Sequence, residues 1–438
     1  MRAYSQYKNS EIEWLGDIPK EWNIKKIKWM TSIKRGASPR PIDDPKYFDD
    51  NGEYAWVRIA DVSSAGMYLE KTTQRVSDLG ASLSVKREPG DIFVSIAGTV
   101  GKPCITNIKC CIHDGFVYFP DYSGDKKYLY YVFASGEPYK GLGKMGTQLN
   151  LNTETIGSIK IPDIPLMLQY KIASFLDKKT EEIDALLILK NKQIEMLEQQ
   201  RQSIITEAVT KGLNSNVKMK DSGVEWIGEI PEDWKLTKIK YVSSLLNGDR
   251  GENYPSGNDF VDEGVPFITS HNLNSRYVDE LTLKYISKER YNLLRGIKIK
   301  KNDIIYCLRG SVGKNALVTN DGGTIASSLM GIRANKKVNA EFLSYILNSK
   351  MEVWNRSMLT TGSVSDNLSA ENVGTYLFTL PDLNEQLDIV NYLNEEMLKL
   401  EKLMLIINRQ IEKLKEYRQA LIYEAVTGKI DVRDIELD

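Results

Sequence analysis

Two stretches of this 438-residue chain, GTVGK (98–102) and GSVGK (310–314), end like a phosphate-binding loop. Such a loop needs another glycine separated by four residues from its Gly-Lys pair, so that backbone N–H groups can cradle phosphates, and a Ser or Thr hydroxyl for Mg²⁺. Ile96 and Leu308 stand at the first position, and Pro103 and Asn315 follow the lysines. Nucleotide binding is therefore not expected. Two readings stay open: a glycine-rich hairpin turn, or a turn presenting Lys102 and Lys314 to a phosphodiester backbone. A nuclease-like pattern, Pro162-Asp163 followed by Asp177-Lys178-Lys179, would need two carboxylates and a lysine on adjacent strands around Mg²⁺. Here it straddles a domain exit and a helix start, so it reads as a chance match. An adenine methyltransferase needs an Asn/Asp-Pro-Pro-aromatic loop around an extruded base. The chain has no Pro-Pro; Asp44-Pro45-Lys46-Tyr47 comes nearest, with no glycine-rich strand-turn-helix before it. His113 and His271 are the only histidines, and Cys104, Cys110, Cys111 and Cys307 form no CxxC pair. Neither metal binding nor catalysis is expected of this chain, and the cysteine doublet suits a reduced, cytoplasmic setting.

Composition points the same way. At about 150 residues per domain the length suggests roughly three domains. The 42% hydrophobic and 27% charged residues are those of an ordinary folded protein. Fifty-eight Lys and Arg against 59 Asp and Glu give a net charge of −1, which excludes a bulk polycation but not a local basic face. No apolar run approaches a membrane span, and the opening MRAYSQYKNSEIEW lacks the apolar core of a signal peptide.

The chain is one unit written twice. IEWLGDIPKEWNIKKIK from Ile12 returns as VEWIGEIPEDWKLTKIK from Val224, and GDIFVSIAGTVGK from Gly90 returns as NDIIYCLRGSVGK from Asn302. NLNTETIG from Asn150 matches NLSAENVG from Asn367, and ITEAVT from Ile205 matches IYEAVT from Ile422. The first pairs are 212 residues apart and the later ones 217, so a unit of about 215 residues is duplicated in tandem. Between these anchors, 36–87 and 248–298 diverge. Each unit opens with short β-branched and aromatic runs (YAWVRIADV, DIFVSIAG, CIHDGFVYF) broken by Gly, Asn, Asp and Pro, which predicts an α+β domain with a mostly antiparallel sheet.

A long helix closes each unit. Leu176, Ile183, Lys190, Leu197 and Ile204 recur every seven residues, as do Leu187, Ile194, Arg201 and Ala208. The second unit repeats this with Leu393, Leu400, Ile407, Leu414 and Leu421, and with Val390, Met397, Met404, Ile411, Arg418 and Ala425. Such a seam predicts a coiled coil, and Gly212 and Gly428 suit the helix ends. Each helix finds its simplest partner in its repeat. A pseudo-twofold relation would run them antiparallel, with the globular domains at opposite ends of a rod. The expected segments are globular domains at 1–165 and 221–383, helical regions at 166–212 and 384–430, a linker at 213–220 and a tail at 431–438. Arg201 and Arg418 share a seam position, either as snorkelling side chains or as groups that set register or grip a partner.

Charge is clustered. Nine positives from Lys284 to Lys314, among them Arg309, face only Glu289 and Asp303, with Tyr285, Tyr291 and Tyr306 interleaved. Lys71, Arg75, Lys86, Arg87 and Lys102 occupy the matching stretch of the first unit. These runs are either solvated faces or duplex-backbone contacts, Lys298 and Lys300 included. Base-reading candidates in the divergent loops are Lys34, Arg35, Arg58 and Asp61 in one unit, and Arg250, His271, Asn272 and Arg276 in the other.

Two diverged globular domains joined by two similar heptad helices resemble the specificity subunit of type I restriction–modification systems. EWLGDIPKEW and EWIGEIPEDW resemble the opening of its target-recognition domains, GTVGK and GSVGK their central turn, and 162–210 and 381–427 its two helical regions. PDIPLMLQ departs by lacking the acidic-Gln pair kept as Glu385-Gln386, which touches helix-start capping. The resemblance implies a non-catalytic DNA-binding subunit that reads a bipartite, asymmetric double-stranded site, with the helices fixing the gap between halves. It implies two methyltransferase subunits and added restriction subunits as partners, which would carry S-adenosylmethionine, ATP and Mg²⁺. Two other classes stay in view: a self-contained enzyme with an undetected site, and a coiled-coil scaffold with no DNA role.

Overall fold

The computed structural model describes residues 2–140, 142, 151–360 and 367–435. Asn150, at the head of one repeated stretch, lies outside the described residues, as do the tail residues 436–438. The chain divides into two compact units, Met1–Lys190 with Arg409–Asp438, and Asn191–Asn408.

In the first unit a five-stranded sheet runs in the order Lys34–Arg35, Phe116–Tyr118, Ile92–Ser95, Pro103–Thr106, Tyr68–Leu69. A four-stranded sheet runs Gln74–Val76, Tyr54–Val57, Cys110–Ile112, Val85–Arg87. All pairs are antiparallel except Pro103–Thr106 with Tyr68–Leu69 and Tyr54–Val57 with Cys110–Ile112. The run YAWVRIADV is not one strand. It turns at Arg58, whose N–H donates to Asp61 Oδ2 at 2.8 Å, and Ile59–Ser64 is helical. A local carboxylate cap has overridden β-branched propensity there.

The second unit has an antiparallel sheet in the order Ser243–Asn247, Leu329–Ala334, Ile304–Cys307, Asn315–Leu317. Its other sheet runs Phe260–Val261, Lys284–Ile286, Val265–Ile268, Thr324–Ile325, with only the last pair parallel. The fold is thus the expected α+β with mostly antiparallel sheets.

The two long helices span Leu166–Lys211 and Leu383–Val426. In the first unit Ile172, Leu176 and Ile183 share a core with Leu421, Ile422 and Ala425. In the second, Ile205, Ala208 and Val209 share one with Val390, Leu393 and Met397. Early residues of one helix therefore meet late residues of the other in each unit, the antiparallel pairing. From 401 to 418 the positions that are not exposed are 404, 407, 411, 414 and 418, every one on the heptad seam. From 181 to 204 they are 183, 187, 190, 194, 197, 201 and 204, joined only by Asp184 and Gln202. A period of 3.5 thus leaves a narrow apolar line and solvated flanks.

The helix starts show which half of the acidic-Gln pair is missing. PDIPLMLQ keeps the glutamine, because Gln169 does the work of Gln386. Gln169 Nε2 donates to the Ile164 carbonyl (2.9 Å) and its Oε1 accepts the Asp125 N–H (2.9 Å) at the start of helix Lys126–Ala134. Gln386 Nε2 donates to the Pro381 carbonyl (2.9 Å) and its Oε1 accepts the Asn339 N–H (2.7 Å) at the start of helix Ala340–Leu347. Only the acid is lost: Leu168 stands where Glu385 stands.

Candidate nucleic-acid interface

Both glycine turns are hairpins, the first joining two inner strands and the second an inner strand to the edge strand Asn315–Leu317, and their backbones match. Ser95 N–H donates to the Lys102 carbonyl (3.0 Å) and Cys307 N–H to that of Lys314 (2.8 Å). Gly98, Gly101, Gly310 and Gly313 all have φ between +64° and +91°, where a side chain would be strained. The lysines brace the same loop in each unit. Lys102 Nζ donates to the carbonyls of Ser63 and Ala65, both at 2.8 Å, and burial pulls its pKa down. Lys314 Nζ, more exposed, donates to Asn274 Oδ1 at 2.9 Å. Arg309 is exposed on the second turn.

The divergent loops start from another shared device. A Cβ on Gly36 would collide with the His113 carbonyl, and one on Gly248 with that of Ala326. Each glycine lets the outgoing loop cross the end of a strand closely. Beside it Arg35 Nε donates to the Asp114 carbonyl, and Arg250 Nε to the Ser327 carbonyl at 3.2 Å. The frame is repeated, and what it presents is not.

In the second unit Arg250, Arg295, Lys298, Lys300 and Arg333 line one open cleft of about 560 Å³. Asp249 sits among them, accepting the N–H groups of Gly251 and Arg295 at 2.7 Å each, which hold its pKa below the usual carboxylate range. Lys298 Nζ stacks 3.6 Å from the Tyr291 ring centroid. Arg333 is paired to buried Asp303 at 2.7 Å. Sequence reasoning missed Arg333, which lies within a strand and outside any charge run. Arg295 was visible in the run from Lys284.

In the first unit Lys34, Arg35, Arg58 and Lys71 are exposed. Other candidates are engaged by their own unit. Asp61 caps a helix. Arg75 ties down the Gly52 and Glu53 carbonyls at 2.5 and 2.6 Å. Asn272 is buried, accepting from Thr269 N–H (2.8 Å) and donating to Thr282 Oγ1 (3.1 Å). Arg276 lies between Glu341 (2.5 Å), the Tyr345 hydroxyl and Asn394 of the second long helix. His271 is exposed beside Asn274, which donates to its carbonyl at 2.7 Å.

The nuclease-like residues have structural duties. Asp163 pairs with Lys25 at 2.8 Å. Asp177 binds Lys127 Nζ (2.6 Å) and accepts from the Tyr131 hydroxyl (2.7 Å). Asp177 and Asn394 are repeat counterparts, so the Tyr131–Asp177 and Tyr345–Asn394 contacts are one clamp, fastening a globular part to its long helix, with Lys127 paired to Asp177 in the first unit and Arg276 paired to Glu341 in the second. Among the described residues no group of three or more His, Cys, Asp or Glu could hold a metal. The four cysteines are buried and free, and burial pushes Cys104, Cys110 and Cys111 up to about 12. His113 packs against Phe116 at 4.7 Å, and its burial lowers its pKa. Among the described residues no helix is long and apolar enough to cross a membrane.

The chain resembles known proteins along nearly its whole length. The profile of the type I restriction modification DNA specificity domain matches residues 19–199 and 231–416. The MjaVIII type I restriction enzyme specificity subunit of Methanocaldococcus jannaschii is 26% identical, over 71% of this chain and 72% of its own. The putative MjaX specificity subunit of that organism is 26% identical over 98% and 97%. A chain from a structural study of assembly and conformational transition in the type I R-M system superposes with a TM-score of 0.70 at 15% identity, covering 94% of this chain and 99% of that one, a likeness of fold. With two matched domains, each ending in a seam helix, the chain belongs to the family of type I restriction–modification DNA specificity subunits.

Proposed function

We propose that each globular part reads one half of a bipartite, asymmetric DNA site and that the long helices dock two methyltransferase subunits. The reading is supported by one contrast: the frame is repeated while the loops it carries are not. Matched turns and clamps would hold two readers alike, and loops starting at Lys34 and at Asp249 would give them different half-sites. The basic cleft of the second unit is the main phosphate contact, with Lys34, Arg35, Arg58 and Lys71 serving the first. Asp61, Arg75, Lys102, Asn272 and Arg276 act by shaping the surface. Asp249, fixed by backbone N–H groups, can accept a hydrogen bond from a cytosine amino group in the major groove.

The stoichiometry of two is supported by the helices. Leu186, Ile188 and Leu189 are about half exposed or more, off the seam. Leu403, Leu405 and Ile406, each 217 residues later, are exposed to a like degree. Matching apolar triplets, with leucine and isoleucine interchanged at the last two positions, are left open in both repeats and suit two copies of one partner. S-adenosylmethionine, ATP and Mg²⁺ belong to the methyltransferase and restriction subunits on this reading, and the chain itself carries out no chemistry. Reconstitution tests it. The purified chain should bind DNA weakly, and adding the methyltransferase subunits should create tight, sequence-specific binding. Methyl transfer or DNA cleavage by the chain alone would favour the self-contained enzyme instead.

A further inference from the structure

The two repeats differ at one place that neither DNA reading nor the apolar triplets uses. In the first unit the segment after Gly428 folds back along the first long helix. Lys171 Nζ donates to the Arg433 carbonyl (2.6 Å) and Asp431 N–H to the Arg2 carbonyl (2.9 Å). Ile430 and Val432 are buried in the same core as Phe175 and Leu421, and Ile435 packs against it.

In the second unit one segment, the link after Gly212, stands where the first unit has two, the N-terminal segment and the tail. The link follows the N-terminal path, since Glu232 N–H donates to the Lys218 carbonyl (2.8 Å) as Lys20 N–H does to that of Gln6 (3.1 Å). The tail's path stays open, as a cleft of about 580 Å³ lined by Ile204, Ala208, Leu213, Met219, Glu229 and Tyr392, among others. Repeat partners record the difference. Phe175 is 4% exposed and Tyr392 40%; Ile430 is 4% exposed and Leu213 45%. Val432 is buried and its counterpart Ser215 exposed.

We infer that this cleft takes an extended segment of a partner protein with the tail's chemistry: two β-branched apolar residues flanking an acid, as in Ile430-Asp431-Val432. The first unit supplies the template, an apolar side chain seated on the helix pair and a backbone running beside the chain that crosses it. The partner is the methyltransferase subunit, a step that rests on the function proposed above.

The probe is a labelled peptide of residues 428–435 titrated into the full chain. One saturable site is expected, weakened at least tenfold by Tyr392→Asp in the protein or by acids at both peptide positions 430 and 432. Tyr392 is half exposed, so the variant should fold, which circular dichroism checks. Absence of saturable binding overturns the inference, as does binding indifferent to Tyr392→Asp. Dimers of the chain abolished by that variant would mean the occupant is a second copy's tail, and would overturn the assignment to a partner. With methyltransferase subunits added, amide exchange at 213–219 should slow in the parent chain and not in the variant. Assembly without that slowing defeats this inference alone, whereas no assembly at all defeats the proposed function and leaves the peptide titration to decide the cleft.

Discussion

The indole N–H of Trp234 donates to a Glu385 carboxylate oxygen at 2.8 Å, whereas the buried indole N–H of its repeat counterpart, Trp22, meets no partner in hydrogen-bonding geometry among the described residues. The Tyr4 ring lies edge-on to Trp22 at 5.7 Å, and Leu168 holds the carboxylate's place. The duplicated sequence has thus kept the tryptophan at both helix starts and its acceptor at only one. Two predictions come from this pair.

The first concerns pH. Burial raises the Glu385 carboxyl above the ordinary glutamate value, opposed by the Trp234 N–H. A raised folded-state pKa means the native state holds the proton more tightly than the unfolded one. This group's contribution is therefore full below the unfolded value and is lost as pH rises through the folded one. Glu385→Gln removes the titration. The melting temperature of the parent minus that of the variant should fall from acid to neutral pH. A difference that stays flat would contradict this.

The second concerns the acceptor itself. Glu385→Leu copies the first unit and leaves the Trp234 N–H buried without a partner, at a cost of about 1–3 kcal/mol. Leu168→Glu copies the second unit and offers Trp22 an acceptor, with a gain on the order of 1 kcal/mol. Denaturant midpoints measure both, and equal shifts of one sign would argue against the repeat logic.

The proposed DNA contacts divide by the same structural reasoning. Lys300 is exposed on the basic cleft, so Lys300→Ala should weaken binding about equally on every sequence and lower the salt slope by about 0.9. Lys102 is tied to two carbonyls, so Lys102→Ala should lower stability and leave the slope unchanged. Fluorescence titrations of the assembled complex across a salt series separate the two. A slope that drops for Lys102 would give that lysine a phosphate.

How much of this was legible depended on the range of the interaction. The duplication, the long helices and their seam are written in residue spacing, because a helix repeats its face every few residues and a coiled coil every seven. The glycine turns were legible as hairpins, since the spacing of Gly98 and Gly101 and the Val-Gly-Lys ending recur at Gly310 and Gly313. Contacts made across long stretches of chain were not. Nothing local to Arg276 announces Glu341 or Asn394, and nothing near Asp177 announces Lys127 and Tyr131. Gln169 was overlooked because the missing acid beside it hid the alignment. A charge run shows where cations are dense, but which of them carbonyls hold back emerges only once strands have paired.

The apolar triplets lead to the strongest quantitative expectation. Each leucine or isoleucine left open on a helix flank costs little alone, but covering it with a partner stabilises by about 1.5–3 kcal/mol if burial is complete. These side chains are already about half covered, so each set contributes on the order of 3 kcal/mol to a contact that must also offset the entropy of association, and each repeat offers one set. Leu186→Lys with Leu189→Lys should abolish one site and leave the seam intact, because neither residue lies on it. Leu403→Lys with Ile406→Lys should do the same in the other repeat. Native mass spectrometry of the reconstituted complex should then fall from two methyltransferase copies per chain to one for either double variant, and to none when all four changes are combined. Sequence-specific DNA binding should weaken in step. If either double variant still holds two copies, the triplets are solvent-facing residues without a partner, and the methyltransferase subunits must grip the chain elsewhere.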